Sequence, residues 1–323
     1  MKVKLWGVRG SLPSPVAPER LRWRIEEALQ QFERLKDAKV PISARAFLDT
    51  LPPHMLGGYG GNTSCGEVTC GDSRLIIDAG SGIRALSDIL SRSEPAISEY
   101  HIYFTHFHWD HLIGLPFFAP IYARGKTIHL YAVHDQLEEA IQILFKKPFF
   151  PVPFAVIQKQ VKFHKLEARK PFQIGDLSLT PYQLDHPDEC WGVRVEGDGK
   201  SLAWCVDNEG TRGSREELGD DVKLFQNADL MVYDAQYSFG EALEKMNWGH
   251  SSAPVGIDLA VREGVKRALF VHHDPAARDE TIREAEEQTQ QYFDALARAR
   301  KKAGLGDLEL QWHFGREGEL VKL

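Results

Sequence analysis

The sequence predicts an α/β fold in which two mixed sheets pack face to face with helices on their outer surfaces. Three observations lead there. Short apolar or alternating strand patterns fall in two successive β-rich halves, each closed by helices, which is a layered arrangement. No Gly/Ser-rich or charged linker separates the halves, so a single domain over residues 1–323 is expected. The chain is 43% hydrophobic, with 17 Phe, 9 Tyr and 7 Trp, enough for a large core and incompatible with disorder.

Taken in order, Lys2 to Val8 alternates with period two and reads as an opening strand. Leu21, Ile25, Leu29, Phe32 and Leu35 recur at helical spacing, so a helix is expected from about Glu19 to Lys36, with a second over Ser43 to Thr50. This helical segment, about 15–56, reads as an insertion over the fold, either a passive cover or a lid. Gly57 to Ser64 is a glycine-rich connector of the kind used where backbone approaches a ligand. Strands are expected at 67–70, 74–77, 102–105, 127–133, 161–163, 177–183, 191–195, 202–206, 230–233, 268–271, 308–313 and 319–322. Helices are expected at 84–91, 135–145, 252–263 and 279–302. The last has acidic residues early and Arg298, Arg300, Lys301 and Lys302 late, matching the helix dipole, and Gly304 stops it. Pro148 to Phe154 holds three prolines among aromatics. It is expected to be irregular: a core plug, a pocket wall or a homodimer contact.

The net charge is −7, from 39 basic and 46 acidic residues, which argues against a dedicated nucleic-acid surface. A small anionic substrate stays admissible, because a metal centre brings its own positive charge. Cys65, Cys70, Cys190 and Cys205 form no paired motif and suit a reducing, cytoplasmic compartment. No apolar run is long enough to span a membrane.

The chemistry concentrates in Thr105-His106-Phe107-His108-Trp109-Asp110-His111. Three imidazoles and a carboxylate fall within six residues, directly after an apolar strand. On a strand, positions i and i+2 share a face, so His106 and His108 can grip one cation while Asp110 and His111 reach toward a second. Imidazole and carboxylate are ligands common to Zn²⁺, Mn²⁺ and Fe²⁺. His54, His101, His129, His134, His164 and His313 sit singly in the sequence and are read as ordinary core or surface residues.

This run fits the pattern HxHxDH, and with it the chain resembles the metallo-β-lactamase superfamily. The resemblance implies a four-layer αβ/βα sandwich carrying two divalent cations, zinc foremost, at one end of the sheets. It implies later ligands after later strands, and His186, Asp207 and His272 occupy those places. By position, His106, His108 and His186 would hold one metal, Asp110, His111 and His272 the other, and Asp207 would bridge. Asp78 would orient a ligand imidazole. His273 is the alternative to His272, although strand alternation sends the two to opposite sides.

Trp248-Gly249-His250-Ser251-Ser252 is similar to the Gly-His-Ser element of tRNase Z-like and other phosphodiesterase branches, where the histidine protonates the leaving group. Asp234, ending the preceding strand, takes the place of its supporting carboxylate. Trp6 to Pro13 and Gly60 to Cys65 resemble a bacterial group described as phosphoribosyl cyclic phosphodiesterase-like or cyclic-nucleotide phosphodiesterase-like. The basic Gly/Pro-rich arm of tRNase Z is missing, and residues 140–175 hold the aromatic loop instead. The resemblance therefore implies a phosphodiesterase acting on a small, cyclic phosphodiester. Asp110, His250 and Asp234 are its candidate catalytic residues, and Asn62, Ser64 and Ser251 its candidate substrate contacts. The competing readings are a lactone or thioester hydrolase, a tRNase Z-like nuclease, and a sensor that binds without cutting.

Overall fold

The computed structural model describes residues 1–94 and 96–323. The first half runs β1 (Lys2–Gly7), α1 (Pro18–Asp37), α2 (Ala44–Leu48), α3 (Pro53–Leu56), β2 (Cys65–Cys70), β3 (Ser73–Ile77), α4 (Ile83–Ser93), β4 (Glu99–Tyr103), α5 (Trp109–Leu112), β5 (Thr127–Ala132), α6 (Leu137–Leu144) and β6 (Val161–Lys165). The second runs β7 (Phe172–Ile174), β8 (Leu177–Gln183), β9 (Trp191–Gly197), β10 (Lys200–Cys205), α7 (Arg215–Leu218), β11 (Leu230–Asp234), α8 (Phe239–Glu244), α9 (Ala253–Glu263), β12 (Arg267–Val271), α10 (Asp279–Lys302), β13 (Gln311–Phe314) and β14 (Leu320–Lys322).

Among the described residues the strands form two seven-stranded sheets, ordered β14-β1-β2-β3-β4-β5-β6 and β13-β12-β11-β10-β9-β8-β7. Each is antiparallel at one side and parallel at the other: β3 to β6 run parallel in the first, β10 to β13 in the second. The α/β sandwich expected from the sequence is present. Leu5, Val68, Leu75 and Ile77 of one sheet meet Leu179, Val193, Trp204 and Val232 of the other in a single buried layer. Two further clusters lie on the outer faces, under α4 and α6 on the first sheet and under α9 and α10 on the second. Parallel strands buried on both sides read as continuous apolar runs, which is why Leu230–Asp234 and Arg267–Val271 lack alternation. No helix of the described residues is long and apolar enough to cross a membrane, and all four cysteines are free.

Two expectations need correction. The helix α1 forms where its spacing predicts, but Leu21, Ile25 and Leu29 are exposed and the residue it buries is Arg24. Arg24 and Arg20 pair with Asp279 and Glu280 at the start of α10. Ion pairs therefore choose the docking face, and apolar spacing cannot report that. Phe47, Leu51 and Met55 pack instead with Phe32 and Leu35 in a small cluster belonging to the 15–56 segment.

Nor do His101, His129 and His164 sit singly. Parallel pairing of β4, β5 and β6 stacks them across the sheet, with ring centroids 4.8 and 5.1 Å apart. His129 Nδ1 lies 2.9 Å from His164 Nε2, and the Tyr131 hydroxyl 2.8 Å from His101 Nδ1. Strand register, invisible in one sequence, makes these neighbours.

Burial, helped by His129, holds the His101 imidazole down to about 4, and His129 and His164 are lowered for the same reason. An unfolded chain takes up protons near pH 6.5 while the folded stack still excludes them. The stack's contribution to stability is therefore complete above about pH 6.5 and declines as pH falls toward 4. Urea midpoints measured between pH 7 and 5 should fall more steeply for the native chain than for His101→Phe; equal slopes would refute this.

Candidate metal centre

The site is built from chain that has just left a strand. Asp78 follows β3, Asp207 lies two residues after β10, Asp234 ends β11, and His272 follows β12. The histidine run begins after β4, and His186 lies three residues beyond β8. In open α/β sheets ligands collect outside the carboxyl ends of parallel strands. Here two sheets share one such end. His106 and His108 follow the strand as expected, although β4 stops at Tyr103 and not at Thr105. They project from a loop, and α5 then turns Asp110 and His111 inward.

The structure brings all the sequence-expected ligand residues together. Ligand atoms of His106, His108 and His186 lie within 4.8 Å of one another. So do those of His106, His111 and Asp207, those of Asp110, His111 and His272, and those of Asp207, Asp234, His250 and His272. His272 faces this centre, whereas His273 turns away to the Gly315 carbonyl at 3.0 Å and stacks on Phe314.

The donor set fits a pair of divalent cations. His106 Nε2, His111 Nε2, His272 Nε2 and Asp207 Oδ2 are all buried without a hydrogen-bond partner. His111 Nε2 lies 2.8 Å from Asp207 Oδ2 and 3.3 Å from Asp110 Oδ2, yet neither approach has hydrogen-bond geometry. These atoms converge on common points rather than on each other, which is how ligands of one cation are disposed. The charge agrees. Burial opposes a proton on His111, but Asp110, Asp207 and Asp78 outweigh it and raise its pKa well above the ordinary value. His106, beside it, is driven well below the ordinary value by burial and by His111, so it is a neutral donor. Burial opposes ionisation of Asp207 and Asp110, yet the neighbouring imidazoles keep both below the usual carboxylate range.

The other ring nitrogens are held from behind. His111 Nδ1 donates to Asp78 Oδ2 at 2.8 Å. His106 Nδ1 lies 3.1 Å from Thr105 Oγ1 and 3.6 Å from Cys190 Sγ. The backbone N–H of Ser11 donates to Asp110 Oδ2 at 2.8 Å. His250 Nδ1 is 2.9 Å from Asp234 Oδ2 and 3.5 Å from Asp207 Oδ1, and its ring stacks on His272 at 4.9 Å. Burial works against the His250 proton, but Asp234, joined by Asp207 and Asp110, pushes the imidazole up to about 9.

Asn62, Ser64 and Ser251 already have partners inside the fold. Asn62 Nδ2 donates to Glu317 at 2.7 Å while its Oδ1 accepts from Ser81 at 2.9 Å. The buried Ser64 hydroxyl donates to Asp78 at 3.3 Å, and the buried Ser251 hydroxyl to the Glu209 carbonyl at 3.0 Å. Sequence reasoning missed Glu209, whose Oε1 accepts the Gly249 N–H at 2.7 Å. Gly249 adopts φ +89°, and a Cβ there would come within 2.3 Å of His186. Glycine lets the His250 loop lie directly against that imidazole. The signal for Glu209 was only its place two residues after Asp207.

A family model described as Beta-lactamase superfamily domain matches residues 73–273. The chain belongs to the metallo-β-lactamase superfamily. Among its relatives, Ribonuclease Z of Ligilactobacillus salivarius (strain UCC118) is 23% identical over 223 residues, covering 53% of this chain and 68% of that protein. Two solved structures show the same fold over the whole chain. One is Zn(2+)-bound PqqB from Methylobacterium extorquens, with TM-score 0.62, 15% identity and 100% of each chain covered. The other is described as a new diphosphatase from the PhnP family, with TM-score 0.61, 16% identity, 100% of this chain and 97% of that chain. As a superfamily member with these clusters, the chain is a metal-dependent hydrolase.

A ligand that binds only the folded state stabilises it. Adding Zn²⁺ to chelator-treated protein should therefore raise Tm, and elemental analysis of the loaded protein should approach two equivalents. Asp207→Ala should lose both effects. A full Tm rise and full metal content in that variant would remove Asp207 from the ligand set.

Proposed function

We propose that this chain hydrolyses a phosphodiester with two divalent cations, zinc foremost among Zn²⁺, Mn²⁺ and Fe²⁺. His106, His108 and His186 would hold one cation, Asp110, His111 and His272 the other, with Asp207 between them. When bound, such cations supply Lewis acidity toward the phosphoryl oxygens and activate a water at neutral pH. The chain's residues do the rest. Asp110, held by the Ser11 N–H, orients the attacking water. With His250 Nδ1 committed to Asp234, Nε2 is the nitrogen left to give its proton to the departing alkoxide.

The observation that carries this reading is the His250–Asp234 pair beside Asp207. An alkoxide leaves poorly and needs a proton, and general acid help of this kind is worth typically about 10²–10⁴-fold. Lactone and thioester hydrolysis have less need of it. Bound cations beside Asp207 would lower the His250 pKa, opposing the rise that Asp234 causes. Asn62, Ser64 and Ser251 would serve as supports that keep the glycine-rich loop, Asp78 and the His250 loop in place.

The net charge of −7 argues against a dedicated nucleic-acid surface, and the likeness of Trp6 to Pro13 and Gly60 to Cys65 to cyclic phosphodiesterase-like proteins supports a small, cyclic phosphodiester. A second reading, cleavage of an RNA diester, is favoured by the curated relatives named Ribonuclease Z. A turnover screen of cyclic mononucleotides, cyclic dinucleotides, phosphoribosyl cyclic phosphate and a precursor tRNA separates the two. Turnover of lactones or thioesters in place of every phosphodiester would overturn both.

The general acid has its own signature. His250→Ala should cost little on bis(p-nitrophenyl) phosphate, whose p-nitrophenolate leaves unaided, and about 10²-fold or more on a diester with a ribose leaving group. Asp234→Asn should show the same dependence more weakly, with metal content unchanged in both. Equal losses on the two substrates would reassign His250 to substrate positioning.

A further inference from the structure

Asp188 lies two residues after His186, and nothing in the functional reading uses it. Its Oδ2 is 2.9 Å from His108 Nε2. Its backbone carbonyl lies 3.0 Å and its backbone nitrogen 3.2 Å from His186 Nδ1. Of the three imidazoles in the first cluster, His106 is the buried one, held by Thr105 and Cys190. The other two stand on the open side, and Asp188 touches both. With Nε2 directed at a carboxylate, the His108 nitrogen available to a cation is Nδ1. With Nδ1 engaged by the Asp188 main chain, that of His186 is Nε2. A ligating histidine that gives its other N–H to a carboxylate or carbonyl has its tautomer and orientation fixed and its basicity raised.

We propose that Asp188 is a positioning residue for the cation held by His106, His108 and His186, clamping His108 through its side chain and His186 through its main chain. The inference rests on the ligand set given under the proposed function. The side chains of His108 and Asp188 are 45% and 74% exposed, so their pairing adds little to fold stability. Its effect should fall on the cation. The peptide carbonyl of Asp188 survives any substitution, so only the hold on His108 is removed.

The test uses the full chain loaded with Zn²⁺, titrated with a competing chelator while released zinc is followed. Asp188→Ala should loosen one of the two cations about 10–100-fold and leave the other near its native affinity. Asp188→Asn should recover part of that loss, because its amide oxygen still accepts from His108 Nε2–H. In ¹⁵N–¹H spectra of the zinc-loaded native protein, His108 should show the Nε2–H tautomer, and that proton should exchange faster in Asp188→Ala. An unchanged chelator curve in Asp188→Ala overturns the proposal. So does equal loosening of both cations together with a lower Tm of the metal-free variant. His108→Ala keeps the two claims apart. If it binds both cations at native affinity, the ligand reading fails. If it loses one while Asp188→Ala loses none, only the role of Asp188 fails.

Discussion

The carboxylate of Asp78 holds the two halves of the histidine loop to the end of the first sheet. Wholly buried, it accepts from the Thr105 N–H at 2.9 Å, the Thr105 hydroxyl at 3.0 Å, His111 Nδ1 at 2.8 Å and the Ser64 hydroxyl at 3.3 Å. A buried charge without such donors would cost several kcal/mol, so its position obliges the surrounding chain to supply them. In supplying them, β3 is tied to the chain leaving β4, the start of the run is tied to its end, and Nε2 of His111 is turned into the site.

The backbone cooperates in an uncommon way. Asp78, Asp207 and His272 each follow or nearly follow a strand, and each has positive φ, at 61°, 61° and 65°. Non-glycine residues pay of order 1 kcal/mol or more to sit there. A strand that simply continued would send alternate side chains to the two faces of its sheet. A left-handed residue at its end redirects one side chain along the strand axis, past the sheet edge. Three strands from two sheets use the same local conformation, and that is how groups from opposite layers converge. His273 shows the result: one residue beyond the kink, its ring is packed among Phe314 and Tyr59.

The part of the site legible in the sequence is the part that is local in it. His106, His108, Asp110 and His111 are readable because four ligand-type residues fall within six positions. His186, Asp207 and His272 stand alone in the sequence, and only the resemblance singled them out. Partners set by loop packing were not readable at all. Asp188 and Glu209 look like ordinary surface acids until β8 and β10 are paired in register with β9. The fold class was legible because apolar runs and periodicities are local too. The docking face of α1 was not, since a buried Arg24 is intelligible only once Asp279, 255 residues away, lies against it.

The last strand has a consequence for how the chain can assemble. β14 crosses from the second half to pair antiparallel with β1, joining Val321 to Val3 and placing the Leu323 N–H on the Met1 carbonyl. Until β14 arrives, β1 is an open edge, with a row of unpaired backbone groups able to recruit a strand from another molecule. Every other strand of both sheets precedes β14 in synthesis, so β1 gains this neighbour last in a nascent chain. The first sheet, from which the histidine run departs, is thus completed only by residues translated after the whole of the second.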